Sequence, residues 1–509
     1  MTSRQRPVVL PAMLLALGLL AAGCSKPAEP PSAAPSAAAS PPAAATGSAP
    51  PSAVAAKLVW KDCDGAFSCS SLDVPLDDRD PGAGTVALAL VRKRATGRDR
   101  IGSLLLNPGG PGASAVGFLE QAYTEIPAGV RARFDLVAFD PRGVGRSAPV
   151  RCETTAQLDR YFALDPTPDS PDELRAYDRG NVELAAGCAR RSGRVLPHVA
   201  TAEAAADMDR VRAALGDDKL TYLGFSYGTS IGAAYLDRYP TRVRAMVLDG
   251  ALDPTLTWDG FLSGQSKGFD TALQAFLANC ERVRCPFREA VTGGLGTAYD
   301  ALAMRVDGHP LSGAGDRTVG PGEFSLGVGA GLYDRQYGWP AIAAALRDAE
   351  RGDGRRLLAL SDGYLERGPD GYANVSEANL AVNCIDRPWP KDLASYVRLA
   401  DRVSKGSPRF GEAIALSGLG CRQWPVQPVS RPHPVTGKGA PPVLVIGTTR
   451  DPATPYAWAV GLSRQLTSGV LLTNEGDGHT VYRADAKACI REPVDTYLLT
   501  GRAPAPLRC

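Results

Sequence analysis

The sequence predicts an α/β fold in which helices flank a mostly parallel sheet and a large, mainly helical insertion interrupts it. In the first half of the chain, short apolar runs alternate with amphipathic helical stretches, which is typical of a parallel sheet covered on both faces. From about residue 253 to 438 this alternation gives way to helical stretches separated by Gly/Pro-rich turns. Apolar β-prone runs then resume near the C-terminus. About 450 residues follow the N-terminal segment, enough for one large domain with an insertion.

Each predicted element rests on a run of apolar residues with the period of a strand or a helix. The predicted strands are 72–76, 85–91, 103–106, 134–139, 219–223, 243–250, 442–447 and 469–473. The predicted helices are 201–215 with Thr201 as a plausible N-cap, 229–239, and stretches around 258–280, 341–360 and 391–417. These elements define a core of residues 57–252 and 439–509 and an insertion of residues 253–438, called the cap below.

The N-terminal segment has the pattern of an export signal. Arg4 and Arg6 precede an uncharged apolar stretch that ends in small residues before Cys24. This pattern resembles a bacterial lipoprotein signal, so residues 1–23 are predicted to be removed and Cys24 to be lipidated. Residues 24–56, mostly Ala, Pro and Ser, are predicted to form a flexible tether. We therefore expect an exported protein anchored to a membrane outside the cytoplasm, with an ordinary signal peptide as the alternative.

Charge and histidine content exclude several classes of function. The formal net charge is +2 without a block of like charges, so neither nucleic acid nor an anionic surface is an expected partner. The chain has four histidines and no metal-binding motif such as C-x-x-C or H-E-x-x-H. We expect no metal and no cofactor. A monomer is the expected state.

The cysteines predict a set of disulfides. Of the 11 cysteines, ten remain besides Cys24, and an even number in an exported protein indicates disulfides. Sequence alone leaves the connectivity open. Our hypothesis is nearest-neighbour pairing: 63–69, 152–188, 280–285, 384–421 and 489–509.

The most informative motif is G-F-S-Y-G at residues 224–228. It lies between a β-prone apolar run and a helical run, so Ser226 is predicted to sit on a sharp strand–turn–helix elbow. The flanking glycines leave room for close packing of strand and helix. Because such a turn exposes the hydroxyl at the top of a sheet, Ser226 is the predicted nucleophile of a serine hydrolase.

A nucleophilic serine needs a histidine base and an acid that orients it. In α/β-hydrolases the acid and then the histidine follow the serine in the chain. His479 lies in a Gly-rich loop after the last predicted strand and is the predicted base. Asp451 follows the strand 442–447 and is the predicted acid, while Asp249 at the end of the preceding strand is the alternative.

A Gly-rich turn supplies the predicted oxyanion hole. Residues 107–112 read N-P-G-G-P-G after a predicted strand, and adjacent glycines allow a main-chain N–H to face a substrate. We assign the main-chain N–H groups of Gly110 and Tyr227 as the donors. The segment 140–147 is expected to support the floor of the site, with Arg142 paired to a carboxylate.

Several segments together resemble one enzyme family. They are N-P-G-G-P-G at 107–112, D-P-R-G-V-G-R-S at 140–147, G-D-D-K-L-T-Y-L-G-F-S-Y-G-T at 216–229, T-T-R-D-P-A-T-P at 448–455 and G-D-G-H-T at 476–480. Over residues 57–509 the chain is similar to the tripeptidyl aminopeptidase branch of the α/β-hydrolases, the secreted actinobacterial relatives of the proline iminopeptidases. The resemblance implies an α/β-hydrolase fold, the triad Ser226, Asp451 and His479, oxyanion donors at Gly110 and Tyr227, and a helical cap over one end of the cleft.

The resemblance also implies a substrate class. Family members release short peptides, often tripeptides, from free N-termini, which requires a group that holds an α-ammonium. Asp386, in the segment N-C-I-D at 383–386, is our candidate, with a structural carboxylate beside a disulfide as the alternative. A carboxylesterase of the same fold is the main alternative function, since the same triad hydrolyses esters and amides. A non-catalytic envelope binding protein is a remote one.

Overall fold

The computed structural model describes residues 58–63, 65 and 67–509. The predicted signal sequence, Cys24 and the tether lie outside the described residues. The strands are β1 Lys61–Cys63, β2 Phe67–Asp77, β3 Asp80–Lys93, β4 Gly102–Asn107, β5 Phe134–Phe139, β6 Leu220–Phe225, β7 Val243–Asp249, β8 Leu311–Ser312, β9 Thr318–Val319, β10 Arg367–Gly368, β11 Gly371–Tyr372, β12 Val443–Arg450, β13 Gly469–Asp477 and β14 Leu507–Arg508.

The helices alternate with strands in the core and follow one another in the cap. They are α1 Ala115–Ala122, α2 Ala128–Arg131, α3 Thr155–Phe162, α4 Pro171–Ser192, α5 Thr201–Ala214, α6 Gly228–Arg238, α7 Trp258–Val283, α8 Pro286–Ala290, α9 Leu295–Gly308, α10 Pro321–Leu332, α11 Gly338–Ala349, α12 Arg355–Tyr364, α13 Val375–Asp386, α14 Leu393–Val403, α15 Gly411–Ser417, α16 Tyr456–Gln465 and α17 Ala488–Thr500.

Within the described residues the core is one ten-stranded sheet in the order β1-β2-β3-β5-β4-β6-β7-β12-β13-β14. The pairs from β5 through β14 are parallel, whereas β1, β2 and β3 form an antiparallel edge that ends on β5. Every residue of β5 and β6 is buried, because helices cover both faces of the sheet there. The fold is the predicted α/β-hydrolase type, and the carboxyl ends of β4, β6, β12 and β13 meet at one edge.

The cap differs from the expectation in its helix boundaries. The predicted stretch 341–360 is two helices, α11 and α12, separated at Gly352, whose φ of +83° suits glycine. The stretch 391–417 is likewise two helices, α14 and α15, because Gly406 and Pro408 interrupt the helical pattern. Two short antiparallel hairpins, β8–β9 and β10–β11, also lie between β7 and β12.

The nearest-neighbour disulfide hypothesis is confirmed. The structure pairs Cys63–Cys69, Cys152–Cys188, Cys280–Cys285, Cys384–Cys421 and Cys489–Cys509.

No helix among the described residues is both long and apolar enough to cross a membrane.

Arg142 is paired to a carboxylate, as predicted, and the structure shows that this carboxylate belongs to Asp207 on α5. Arg142 Nε and Nη2 donate to the two oxygens of Asp207 at 2.8 and 2.9 Å, and both side chains are buried. The same guanidinium donates to the carbonyls of Pro75 and Leu76 at the end of β2. This ion pair therefore joins the antiparallel edge of the sheet to α5.

Candidate active site

Ser226 occupies a tight turn between β6 and α6. Its φ is +53°, a left-handed conformation that is rare for a residue other than glycine and is typical of functional turns. Its N–H donates to Asp249 O at 2.8 Å, and its carbonyl accepts from Thr229 Oγ1 at 2.6 Å. A Cβ at Gly228 would lie 2.7 Å from Asn107 O, so glycine is required where the elbow packs on β4.

The acid and the base come together at the carboxyl ends of β12 and β13. His479 Nδ1 lies 2.9 Å from both carboxylate oxygens of Asp451. Asp451 Oδ1 also accepts from the N–H groups of Ala453 and Thr454, which fix the carboxylate. Since Nδ1 donates to Asp451, the other ring nitrogen carries the lone pair, and His479 Nε2 is buried without a hydrogen-bond partner among the described residues.

Asp249, the alternative acid, contacts the loop that carries His479 and not its ring nitrogen. Asp249 Oδ2 accepts from the N–H groups of Val481 and Tyr482 at 2.8 and 2.7 Å. Burial raises the pKa of Asp249 to about 6. The imidazole is thus oriented by Asp451, while Asp249 holds the main chain that follows it.

The Gly-rich turn after β4 packs directly on the elbow. Gly110 has a φ of +106°. At the neighbouring Gly109, a Cβ would lie 2.6 Å from Phe225 O and 2.9 Å from Tyr227 N. The structure therefore packs the turn that carries Gly110 against Ser226 and Tyr227.

A cavity of about 750 Å³ opens onto Ser226, His479 and Gly110, and residues of both the core and the cap line it. The cap residue Tyr333 contacts the histidine twice. Its carbonyl accepts from His479 N at 2.8 Å, and its ring lies edge-on to the imidazole with the centroids 5.2 Å apart. The cap therefore forms a wall of the site and helps to place the imidazole.

Two family models match the chain, one described as alpha/beta hydrolase fold over residues 102–323 and one described as TAP-like protein over residues 407–509. The serine protease Hip1 of Mycobacterium tuberculosis is 38% identical over 454 residues, 86% of each chain. This chain belongs to the TAP-like α/β-hydrolases. It is an enzyme, a serine hydrolase.

Other relatives carry different names. Carboxylesterase B of Mycobacterium tuberculosis is 39% identical over 526 residues, 99% of each chain. The tripeptidyl aminopeptidase of Streptomyces lividans is 34% identical over 475 residues, 89% of this chain and 86% of that one. Among these TAP-like relatives the names cover both a peptidase and an esterase, so membership in the family does not by itself define the substrate class of this chain.

The cavity of this TAP-like enzyme carries four carboxylates. Asp334 pairs with Arg483 at 3.0 Å and Asp362 with Arg317 at 2.7 Å, so both are neutralised. Glu125 is exposed and belongs to the core side of the lining.

Glu366 is the exception among these acids, and no sequence pattern pointed to it. Its carboxylate is partly buried and has no ion pair or side-chain hydrogen bond with any described residue. The residue has a φ of +51° at the start of the β10–β11 hairpin. Burial, with a smaller contribution from Asp140, raises its pKa to about 7.

The structure does not bring Asp386 into this cavity. Its oxygens accept from Thr201 N at 2.9 Å and Thr201 Oγ1 at 2.5 Å. The prediction of Thr201 as the N-cap of this helix is wrong by one residue, since Thr201 is the first residue of α5 and Ala200 is the N-cap. With both oxygens occupied by Thr201, Asp386 is poorly placed to bind an α-ammonium.

Among the described residues, no cluster of His, Cys, Asp and Glu is arranged to hold a metal ion.

Proposed function

We propose that this enzyme is a serine exopeptidase that releases short peptides, tripeptides among them, from free N-termini. The unpaired carboxylate of Glu366, in the cavity that contains Ser226, carries this proposal. A carboxylate that ionises without a partner in a partly buried site costs free energy, and a cationic ligand offsets that cost. The α-ammonium of a peptide is such a ligand.

The triad residues act as general base and nucleophile. Ser226 Oγ attacks the carbonyl carbon of the scissile bond while His479 Nε2 takes its proton. Asp451 holds the imidazole with Nδ1–H toward itself and stabilises the imidazolium. The imidazolium then protonates the leaving amine, and water hydrolyses the acyl-enzyme by the same route with His479 again as base.

The main-chain N–H groups of Gly110 and Tyr227 stabilise the oxyanion of each tetrahedral intermediate. They are fixed before the reaction by the elbow and the Gly-rich turn, so little reorganisation is needed as charge develops. No metal or cofactor is required for any of these steps.

Glu366 gives the site its requirement for a free N-terminus. An extended tripeptide spans about 10 Å, so an anchored α-ammonium fixes how many residues reach Ser226. A carboxylate on the cap side of the cavity binds the α-ammonium and so limits how far the peptide extends into the cavity. Glu366 takes the role first predicted for Asp386.

Glu366→Gln is expected to lower kcat/KM for a tripeptidyl p-nitroanilide with a free amine by about 10- to 100-fold, because a charged hydrogen bond is lost. Activity on the N-acetylated twin should stay within about twofold, since that substrate has no ammonium. Glu125→Gln removes the exposed carboxylate on the core side of the same lining and serves as the matched control. Equal losses on the two substrates, or a larger loss in Glu125→Gln, would contradict the assignment of Glu366.

The preference for the free amine should also depend on pH. Glu366 has a pKa of about 7 in the free enzyme and binds a cation only when ionised, so the preference rises as pH increases through 7. Above about 8 the α-amine loses its proton and the preference falls again. The ratio of kcat/KM for the free and acetylated substrates measures this dependence without interference from His479.

A carboxylesterase is the second candidate, favoured by the 39% identity to carboxylesterase B over 99% of both chains. Purified enzyme tested on the free tripeptide substrate, its acetylated twin and p-nitrophenyl butyrate separates the two functions. Cleavage of the free tripeptide and not of its twin supports the aminopeptidase. Cleavage of the butyrate alone assigns the esterase and leaves the triad intact.

We also propose that the enzyme is exported as a monomer and anchored in the cell envelope through a lipid on Cys24. The signal pattern before Cys24 and the five disulfides, which need an oxidising compartment, support this proposal. Cys24→Ala is expected to abolish incorporation of labelled palmitate and to move the enzyme from the membrane fraction to the soluble fraction. Unchanged fractionation of this variant would refute the anchor.

A further inference from the structure

A buried chain of hydrogen bonds joins the last residue of a cap helix to the residue after the nucleophile. Asp386 at the end of α13 accepts from Thr201 N and from Thr201 Oγ1, at 2.9 and 2.5 Å. Thr201 Oγ1 in turn lies 2.6 Å from the hydroxyl of Tyr227. Tyr227 is buried, and its backbone adjoins Ser226.

The direction of these hydrogen bonds follows from counting protons. Burial raises the pKa of Asp386, whereas the two hydrogen bonds from Thr201 and the nearby charge of Arg387 oppose that rise. The ionised carboxylate only accepts, so Thr201 gives its one hydroxyl proton to Asp386. Tyr227 must then donate its own proton to Thr201 Oγ1. A chain polarised in one direction toward a buried anion strengthens each of its bonds, which holds the far end of the Tyr227 ring in one position.

The same cap helix also contacts the other side of the oxyanion hole. Asn379, on α13, donates from Nδ2 to Pro111 O at 3.2 Å, in the turn that carries Gly110. A Cβ at Gly112 would collide with the carbonyl of Val375, so the turn and the start of α13 are in close contact. This helix thus contacts the turn that carries Gly110 directly and is linked to Tyr227 through Thr201.

We propose that Asp386 and Thr201 are positioning residues that hold the main-chain N–H of Tyr227 in the oxyanion hole, and that α13 sets the spacing between this N–H and that of Gly110. The proposal rests on the proposed function in one respect, namely that these two N–H groups bind the oxyanion. It gives the N-C-I-D segment a role in the chemical step and not in recognition of the substrate.

The test compares two buried tyrosines, each of which loses one hydroxyl hydrogen bond when phenylalanine replaces it. Tyr227→Phe removes the hydroxyl at the elbow. Tyr235→Phe, about two turns further along in α6, removes a hydroxyl that donates to buried Asp209 at 2.9 Å. Tyr235→Phe should lose at least as much thermal stability as Tyr227→Phe, because its hydroxyl bonds to a carboxylate. Only Tyr227→Phe should lower kcat on p-nitrophenyl butyrate, by about 10- to 100-fold with KM within about twofold, because a misplaced oxyanion donor weakens only the transition state.

Thr201 provides a conservative rescue. Thr201→Val keeps the shape and removes the hydroxyl, so it should reproduce the loss in kcat, whereas Thr201→Ser keeps the hydroxyl and should retain most of the activity. The double variant Tyr227→Phe, Asp386→Asn should lose little more kcat than the larger single loss, since both break one chain.

The outcomes separate this proposal from the proposed function. Equal kcat in Tyr227→Phe and Tyr235→Phe, or in Thr201→Val and Thr201→Ser, overturns the positioning role while the enzyme remains a hydrolase. If Tyr227→Phe does not fold, the Thr201 pair decides. A wild-type enzyme that cleaves the butyrate but no free-amine peptide overturns the peptidase function and leaves this inference standing.

Discussion

Replacement of Ser226 by alanine is expected to lower kcat/KM for every substrate by about four to six orders of magnitude, because the acyl-enzyme can no longer form. The fold should persist, since Ser226 takes part in the elbow through its backbone N–H and carbonyl, which alanine retains. Circular dichroism and the unfolding midpoint measure that retention. Labelling by a fluorophosphonate probe should disappear together with turnover.

Ser230→Ala is the matched control for this substitution. Ser230 lies one turn further along α6 and bonds through its N–H to Tyr227 O. This variant should keep wild-type labelling and turnover. A Ser226→Ala enzyme that still hydrolyses substrate, or a wild-type enzyme that the probe does not label, would refute Ser226 as the nucleophile and revive a non-catalytic binding protein.

Asp451→Asn is expected to lower kcat by about 10⁴-fold, the second largest loss predicted for any substitution after that of Ser226→Ala. An asparagine presents an N–H to the ring and favours the tautomer with the proton on Nε2, which leaves His479 unable to accept the serine proton. Asp249→Asn should cost about tenfold or less, because its amide oxygen still accepts from the N–H groups of Val481 and Tyr482. Kinetics of the two variants on one substrate, with unfolding midpoints as control, measure the difference.

A larger loss in Asp249→Asn than in Asp451→Asn would transfer the role of the acid to Asp249. Its pKa of about 6 gives a further distinction. An orienting carboxylate must be ionised in the working enzyme, so an Asp249-dependent enzyme would lose activity as pH falls through 6. With Asp451 as the acid, the acid limb of the pH–rate profile should be unchanged in Asp249→Asn.

The position of the three candidate triad residues at one edge of the sheet could be predicted because each follows a parallel strand, where position in the chain determines position at the sheet edge. Ser226, Asp451 and His479 come after β6, β12 and β13, and the ends of these strands meet. The disulfides were predictable for a related reason. Each cysteine pairs with its neighbour in the sequence, so no long-range contact had to be known.

The cap residues could not be assigned in the same way. Glu366 lies in a short turn without periodicity. Its proposed role depends on its carboxylate having no ion pair with any described residue, which only the tertiary structure shows. The sequence predicts that Asp386 faces the substrate. In the structure its carboxylate, at the end of α13, instead accepts from Thr201 at the start of α5, 185 residues away in the chain. Helix boundaries in the cap also depend on single glycines, whose effect is decided by tertiary packing and not by local pattern.

The attachment of the cap has a consequence for what this hydrolase can reach. Asn374 bonds to the main chain of Gly143, Gly145 and Val150 on the core, and Glu377 accepts from Cys152 N. Together with the bond between Tyr333 and His479, these contacts mean that swinging the cap away would expose many polar groups and displace the base itself. We therefore expect the cap to stay on the core during turnover, so that flexible chain ends and small substrates reach Ser226 and intact folded proteins do not.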